Sequence, residues 1–286
     1  MKIRLFNHYG NGDLFASREF VKELVQSLPN VQFEYSHGKS SRMFADIENL
    51  GYSKIDNNCD NAKSFFWIDG VLYINTWVGL NGRYVTPANT VSLTNLKRLF
   101  NDYLSEIHGF EKDVNEYIPY PNFKAFPMSI RMYTFMQKFN NKTKVLISNC
   151  NAQSGQAENF NFDPIIYELC NEFPEFIFIV TNDTMVVKDN LFMTKDLTNT
   201  SDGFDLNEIS YLSLFCNPII GRGSGAYCFT INKPNCFNKD KYFIAFTKSP
   251  YGATITSGQD LPCHFLSTPE TNERKVFDYI CKVLRG

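Results

Sequence analysis

"KIRLFNHYGNGDLFASREFVKELVQSLPNVQFEYSH" (residues 2–37) sets the fold class, because it passes from a strand pattern through a glycine turn into a helix and a second strand. Residues 2–6 alternate polar and apolar side chains, which is typical of a strand. Apolar residues then repeat at helical spacing from Phe15 to Leu28, and Pro29 ends that helix. This order predicts a parallel α/β sheet, in which sites form where strands end and helices begin.

The second half of the chain repeats this pattern. "KVLIS" (144–148) and "FIFIVTN" (176–182) predict buried strands, and "DPIIYELCNEF" (163–173) predicts the helix between them. Between the two halves, "EYIPYPNFKAFP" (116–127) holds three prolines within nine residues, which excludes a regular helix or a central strand.

These patterns predict two domains of the Rossmann type. Within the first, residues 64–79 predict a β-hairpin that turns at Asp69-Gly70, and residues 93–107 predict a further helix. The predicted boundaries are an N-terminal Rossmann-like domain over 1–125, an interdomain linker over 126–143, a C-terminal Rossmann-like domain over 144–270 and a closing helix over 271–286.

Composition argues against several classes of protein. The formal net charge is −2 and charged residues make up 20% of the chain, with no basic stripe, so nucleic-acid binding is not predicted. Apolar runs of about ten residues or fewer fall short of the roughly 20 that a membrane helix needs. The N-terminus lacks a secretory pattern, which predicts a cytoplasmic protein. The eight cysteines form no CxxC pair, so neither a metal site nor a disulfide framework is predicted.

The first glycine turn, "GNGD" (10–13), has two interpretations. In the structural one, Gly10 and Gly12 permit positive φ at a sharp corner and Asp13 caps the following helix. In the functional one, the glycines let a substrate approach the backbone, and Asp13 accepts a proton from an attacking hydroxyl. The two roles are compatible.

A second glycine turn, "GRGSGAY" (221–227), follows the apolar stretch "NPII" in the C-terminal half. Backbone N–H groups at such a turn point toward the site where a phosphate binds, and Arg222 has a fork of donors for the same anion. The turn matches neither the P-loop nor the full dinucleotide-binding pattern, so a plain loop remains the alternative.

Three stretches resemble one known family. Residues 3–33, 145–182 and 206–232 are similar, in the same order, to the heptosyltransferase-like family of GT-B glycosyltransferases, of the ADP-heptose:lipopolysaccharide type. The resemblance implies two Rossmann-like domains facing across a cleft, with the acceptor bound mainly by the first and the donor mainly by the second. It also implies catalysis without a metal or a cofactor other than the nucleotide-diphosphate sugar.

The resemblance places Asp13 on the family's proposed catalytic base. The chain departs from the family at Gly223, where an acidic residue is usual, and at the loop after residues 144–148, which lacks a basic residue. We hypothesise that Arg222 supplies the missing charge. Three further residues fall on the turn that binds donor phosphate in the family, Ser224, Gly225 and Ala226, and Ala226 replaces the family's proline there.

Other candidates lie where strands end. His8 is a candidate for a second base, with a purely structural histidine as the alternative. The candidates on the acceptor side, where amide and aromatic groups suit sugars, are Asn11, Gly12, Asn75 and Trp77. The candidates on the donor side are Asn149, Asn151 and Thr181. Packing, polar loops and helix capping are the alternatives for both sets.

The resemblance implies an inverting, metal-independent transfer of a sugar from a nucleotide diphosphate to an acceptor hydroxyl, in glycan or glycoconjugate synthesis. Two alternatives remain open. One is a sugar-nucleotide epimerase or hydrolase of the GT-B type, which uses the same donor site with water or no acceptor. The other is a non-catalytic module that binds a nucleotide or a carbohydrate.

Overall fold

The computed structural model describes residues 1–77, 118–153, 155–198, 200, 202–223, 225–248 and 261–286. The helix predicted over 93–107 and the candidate Ser224 lie outside the described residues. The described residues form two compact units, one ending at Pro121 and the other beginning at Asn122.

The first unit contains a five-stranded sheet. Its helices and strands are β1 (Lys2–Asn7), α1 (Asn11–Ala16), α2 (Arg18–Ser27), β2 (Gln32–His37), β3 (Leu50–Ser53), β4 (Phe65–Ile68) and β5 (Val71–Asn75). The strand order is β3-β2-β1-β5-β4, and β1 pairs in parallel with β2 and β5. This confirms the predicted parallel sheet and places the ends of β1 and β5 side by side.

The predicted hairpin is confirmed. Strands β4 and β5 pair in an antiparallel manner, and Asp69 and Gly70 at the turn both have positive φ, 48° and 77°. Two consecutive positive φ values match the twist that a two-residue hairpin needs.

The second unit contains a six-stranded parallel sheet with the order β11-β10-β9-β6-β7-β8. Its helices and strands are α3 (Ile130–Lys138), β6 (Lys144–Ser148), α4 (Asp163–Glu172), β7 (Ile177–Val180), β8 (Leu191–Met193), α5 (Thr194–Thr198), α6 (Leu206–Leu212), β9 (Ile219–Gly221), α7 (Ala226–Thr230), α8 (Lys233–Cys236), β10 (Tyr242–Phe246), β11 (His264–Thr268) and α9 (Glu273–Arg285). The central strands are fully buried, which explains their continuous apolar sequences.

The structure differs from the predicted domain boundaries. The segment predicted as a linker, 126–143, contains helix α3 and lies in the second unit. Ser129 caps this helix by accepting from the Met132 amide at 3.0 Å, and Phe135 is buried against Phe192. The closing helix α9 also belongs to the second unit, where it packs against α4.

The helix predicted from Phe15 to Leu28 is divided in two at Ser17. The Ser17 hydroxyl donates to the carbonyl of Leu14 at 2.9 Å and lies 3.2 Å from the Tyr35 hydroxyl. A serine hydroxyl that donates to a carbonyl of the preceding helical turn disfavours continuation of the helix. Helix α1 therefore ends at Ala16, three residues after Asp13.

Candidate functional site

Asp13 lies on the first turn of α1, directly after β1. Its helix is capped by Gly10, so the sequence-based expectation that Asp13 itself is the N-cap is wrong. Asp13 is the third residue of the helix, and the backbone amides of Gly10 and of Asp13 itself lower the pKa of its carboxyl. This arrangement resembles the returning half of a capping box.

The Asp13 carboxyl is partly exposed and has a shifted pKa. Burial raises its pKa above the ordinary value, and the hydrogen bonds from Trp77, Gly10 and the Asp13 amide oppose that shift without cancelling it. The indole Nε1 of Trp77 donates to Asp13 Oδ1 at 3.2 Å. A carboxylate with a raised pKa binds a proton more readily at neutral pH, which suits a general base.

Trp77 lies two residues after the end of β5 and stacks on Tyr9, with 3.8 Å between the ring centroids and 18° between the planes. Asn75, predicted as an acceptor ligand, is buried. Its Oδ1 accepts from the Trp77 amide at 3.0 Å, and its Nδ2 donates to the Asn61 carbonyl at 3.3 Å. The structure therefore contradicts the acceptor contact of Asn75, because this side chain is committed to holding the chain around Trp77.

His8 is an exposed residue whose Nε2 lies 2.7 Å from the Cys59 carbonyl oxygen. A carbonyl oxygen only accepts, so Nε2 carries the proton of this hydrogen bond. The ring also meets Phe6 edge-on. Within the described residues, this imidazole bonds the loop that contains Cys59 and not Asp13, so the structure favours the structural alternative for His8.

The two remaining acceptor-side candidates lie on α1 beside Asp13. Asn11 and Gly12 are both partly exposed. The Oδ1 atom of Asn11 is buried, and no hydrogen-bond partner for it lies among the described residues. The assignment of both residues to an acceptor stays a prediction.

Arg222, directly after β9, is completely buried. Its Nε donates to the Glu158 carbonyl at 3.2 Å, its Nη1 to the carbonyls of Asn149 and Cys150 at 3.4 and 2.7 Å, and its Nη2 to the Phe160 carbonyl. The guanidinium carbon also lies 4.5 and 4.7 Å from the ring centroids of Phe160 and Phe162. Burial lowers the pKa of this guanidinium.

This geometry contradicts the predicted contact between Arg222 and an anion. All three guanidinium nitrogens of Arg222 donate to main-chain carbonyls of the loop between β6 and α4. The guanidinium therefore holds this loop in place. Such contacts carry no side-chain signature, which is why the sequence did not indicate them.

Gly225 closes the second glycine turn. Its φ is 56° and its ψ −132°, a conformation that is essentially restricted to glycine. A Cβ atom at this position would lie 2.8 Å from the Sγ of Cys150. The turn thus passes close over the end of β6, where the Ser148 hydroxyl accepts from the Tyr227 amide at 3.2 Å.

The other donor-side candidates occupy the same edge of the sheet. Asn149 forms a reciprocal pair with the backbone of Asn182, accepting at 2.8 Å and donating at 3.2 Å. Asn151 is exposed and Thr181 is partly exposed, whereas Gly223 and Ala226 are buried. Asn149 therefore joins the ends of β6 and β7, and a donor contact of any of these residues stays a prediction.

Comparison with solved structures identifies the fold. A glycosyl transferase of family 9 from Veillonella parvula matches with a TM-score of 0.53 and 11% identity, over 99% of this chain and 89% of that chain. The E. coli heptosyltransferase WaaC with ADP-2-deoxy-2-fluoro heptose matches with a TM-score of 0.52 and 8% identity, over 99% of both chains. The chain has the GT-B fold.

The GT-B fold and its likeness to heptosyltransferase structures were both predicted from the sequence, and both are confirmed at the level of the fold. No protein-family model matches the chain, and no curated protein matches it. Within the described ranges, no group of three or more His, Cys, Asp and Glu side chains is placed to hold a metal ion. None of the described helices is long and apolar enough to cross a membrane.

Proposed function

We propose that this GT-B protein is a glycosyltransferase that moves a sugar from a nucleotide diphosphate to an acceptor hydroxyl. The observation that carries the proposal is the Asp13 carboxyl, which is partly exposed, hydrogen-bonded by Trp77 and raised in pKa at the end of β1. Its position matches the catalytic base that the family resemblance implies. The fold likeness to WaaC, solved with ADP-2-deoxy-2-fluoro heptose, supports a nucleotide-diphosphate sugar as the donor.

In the proposed step, the acceptor hydroxyl gives its proton to the Asp13 carboxylate as its oxygen attacks the anomeric carbon. The bond between that carbon and the diphosphate oxygen breaks, and the electron pair leaves with the diphosphate. Attack from the side opposite the leaving group inverts the anomeric configuration. Base catalysis of this kind contributes on the order of 10²- to 10⁴-fold to a rate.

The proposed diphosphate site is the turn from Gly223 to Ala226 in the second unit. Arg222 contributes indirectly, because it binds the carbonyls of the loop that follows β6 and so holds that loop near Gly225. Asn151 and Thr181 are proposed to contact the donor from the same sheet edge. In the proposed step, backbone amides at the turn stabilise the leaving diphosphate.

The test is product analysis with a panel of ADP-, UDP-, GDP- and dTDP-sugars, each with and without a panel of oligosaccharide acceptors. A transferase produces nucleoside diphosphate and glycosylated acceptor in equal amounts. Conversion of the sugar nucleotide without an acceptor indicates an epimerase, and release of free sugar indicates a hydrolase. Calorimetric binding without turnover indicates a binding module, and no binding of any donor contradicts the proposal.

A further inference from the structure

The Asp13 carboxyl is held by an aromatic pair that no sequence pattern links to it. The indole N–H of Trp77 reaches Asp13 Oδ1 at 3.2 Å across 64 residues of sequence. Trp77 in turn stacks on Tyr9, which precedes the glycine turn. Since the facing surfaces of these two rings cover each other, neither offers that face to a sugar.

Both rings are themselves fixed by amide side chains. The Tyr9 amide donates to Asn7 Oδ1 at 2.9 Å, and Asn61 Nδ2 donates to the Tyr9 hydroxyl at 3.0 Å. The Trp77 amide donates to the buried Asn75 Oδ1 at 3.0 Å. Parallel pairing of β1 with β5 brings these two chain segments together, since Phe6 is paired with Asn75.

We propose that Trp77 is a positioning residue for Asp13: its indole N–H orients the carboxylate and stabilises its charged form, and Tyr9 holds the indole plane. An indole is a donor only, so its bond is stronger to a carboxylate than to the protonated acid. An effect of Trp77 on catalysis rests on the proposed function, in which Asp13 is the base. The orientation itself is independent of that role.

Other groups near Asp13 set the conditions for a test. Tyr35, on β2, is close enough to feel the Asp13 charge, but burial raises its phenol pKa to about 12, so it stays neutral below pH 9. His8 bonds the Cys59 carbonyl, and the Tyr9 hydroxyl accepts from Asn61. An Asp13→Asn variant removes the Asp13 carboxyl and keeps all the other groups, so it supplies the baseline.

The chain offers a direct optical probe, because it contains two tryptophans and Trp67 is 45% exposed on β4. In a Trp67→Phe variant, the fluorescence of Trp77 is expected to change with pH as Asp13 titrates. The same titration in Trp67→Phe/Asp13→Asn is expected to lose that transition. A transition that survives Asp13→Asn means that Trp77 senses another group, which overturns the proposal.

The decisive measurement is the Asp13 midpoint from carboxyl ¹³C NMR in Trp77→Phe and in the matched variant Tyr9→Phe, which keeps the ring and loses its bond to Asn61. We expect Trp77→Phe to shift the midpoint upward by about one pH unit, the equivalent of a hydrogen bond to a charged group, and Tyr9→Phe to shift it much less. An unchanged midpoint in Trp77→Phe overturns the proposal.

If Trp77→Phe fails to fold, the Trp67→Phe protein carrying benzothienylalanine at position 77 removes only the N–H and keeps the ring stack. Its Asp13 midpoint is read in the same way. With an active enzyme, loss of the N–H is also expected to lower kcat more than it raises KM, and to move the acid limb of the rate profile to higher pH. A shifted midpoint in a protein that turns over no donor contradicts the proposed function alone. Full activity with an unshifted midpoint contradicts the positioning role alone.

Discussion

The two glycine turns each follow an inner strand of one of the two sheets and each carries one charged residue, yet the structure uses those charges differently. After β1, Asp13 is partly exposed and its carboxyl accepts a hydrogen bond from Trp77. After β9, Arg222 is fully buried and all three of its guanidinium nitrogens donate to main-chain carbonyls. A charge beside a glycine turn is therefore available to a substrate only if the fold has not already satisfied it.

This difference changes how variants of the two turns should behave. Replacing Asp13 removes a partly exposed group with one side-chain hydrogen bond, so the rate of the reaction should suffer more than stability. Replacing Arg222 removes the centre of a buried hydrogen-bond network, so stability should suffer first.

The largest expected effect on stability is at Arg222. Arg222→Met leaves several buried carbonyls without donors, which is expected to lower the free energy of unfolding by about 3 kcal/mol or more. Arg131→Met, at an exposed arginine on α3, is the matched control and should change it by less than about 0.5 kcal/mol. Urea unfolding of both variants measures this. Unchanged stability combined with lost donor binding would show that Arg222 is an anion ligand after all.

A smaller effect is expected from the close approach at Gly225. Gly225→Ala should lower the free energy of unfolding by about 2 kcal/mol for two reasons. Alanine is strained at this positive φ, and its Cβ atom would lie only 2.8 Å from the Cys150 sulfur. Gly203→Ala also has positive φ but open space around it, and should cost about 1 kcal/mol.

Thermal and urea unfolding of Gly225→Ala/Cys150→Ala separate the two causes. Removal of the sulfur should recover part of the loss at Gly225. Equal costs at Gly203 and Gly225, with no recovery in the double variant, would mean that the turn does not press on Cys150.

The smallest expected effect is the pH dependence of stability at Asp13. Because burial raises its pKa in the folded state, this carboxyl contributes most to stability below its unfolded pKa of about 3.9, and that contribution is lost as the pH rises through the folded pKa. Asp13→Asn should therefore gain stability relative to the native protein between pH 4.5 and pH 8. Asp189→Asn, at an exposed position of the second unit, is the control. If the stability gained by Asp13→Asn were larger at pH 4.5 than at pH 8, the pKa of Asp13 would be lowered in the folded protein and not raised.

The sequence predicted the inner strands of the second sheet because they are largely continuous apolar runs, and it predicted β1 of the first sheet from alternating polar and apolar residues. Strands β6 and β7 are buried on both faces, and the turn at Asp69-Gly70 has a local signature. Strands β3 and β8 were not predicted, since they are four and three residues long and contain no fully buried residue. Short, partly exposed strands lack the periodicity on which such predictions depend.

Residues of the candidate site could be predicted where they lie within one glycine turn. The contacts that these residues make with distant parts of the chain could not be predicted. Asp13 and Gly225 were both identified from local pattern and family resemblance. The contacts of Arg222 reach carbonyls 62 to 73 residues away, and Trp77 reaches Asp13 across 64 residues. Every residue has a backbone carbonyl, so the sequence does not show which carbonyls Arg222 will bind. The contact between Trp77 and Asp13 depends on the pairing of β1 with β5, which the local sequence does not reveal.

The central claim is that Asp13 is the base of a sugar transfer, and the most direct measurement compares native protein with Asp13→Asn at a saturating concentration of the donor that the panel identifies. We predict that Asp13→Asn binds this donor as tightly as the native protein, as measured by calorimetry, and forms glycosylated acceptor at least about 10²-fold more slowly. Product formation at the native rate by a folded Asp13→Asn protein would contradict the account.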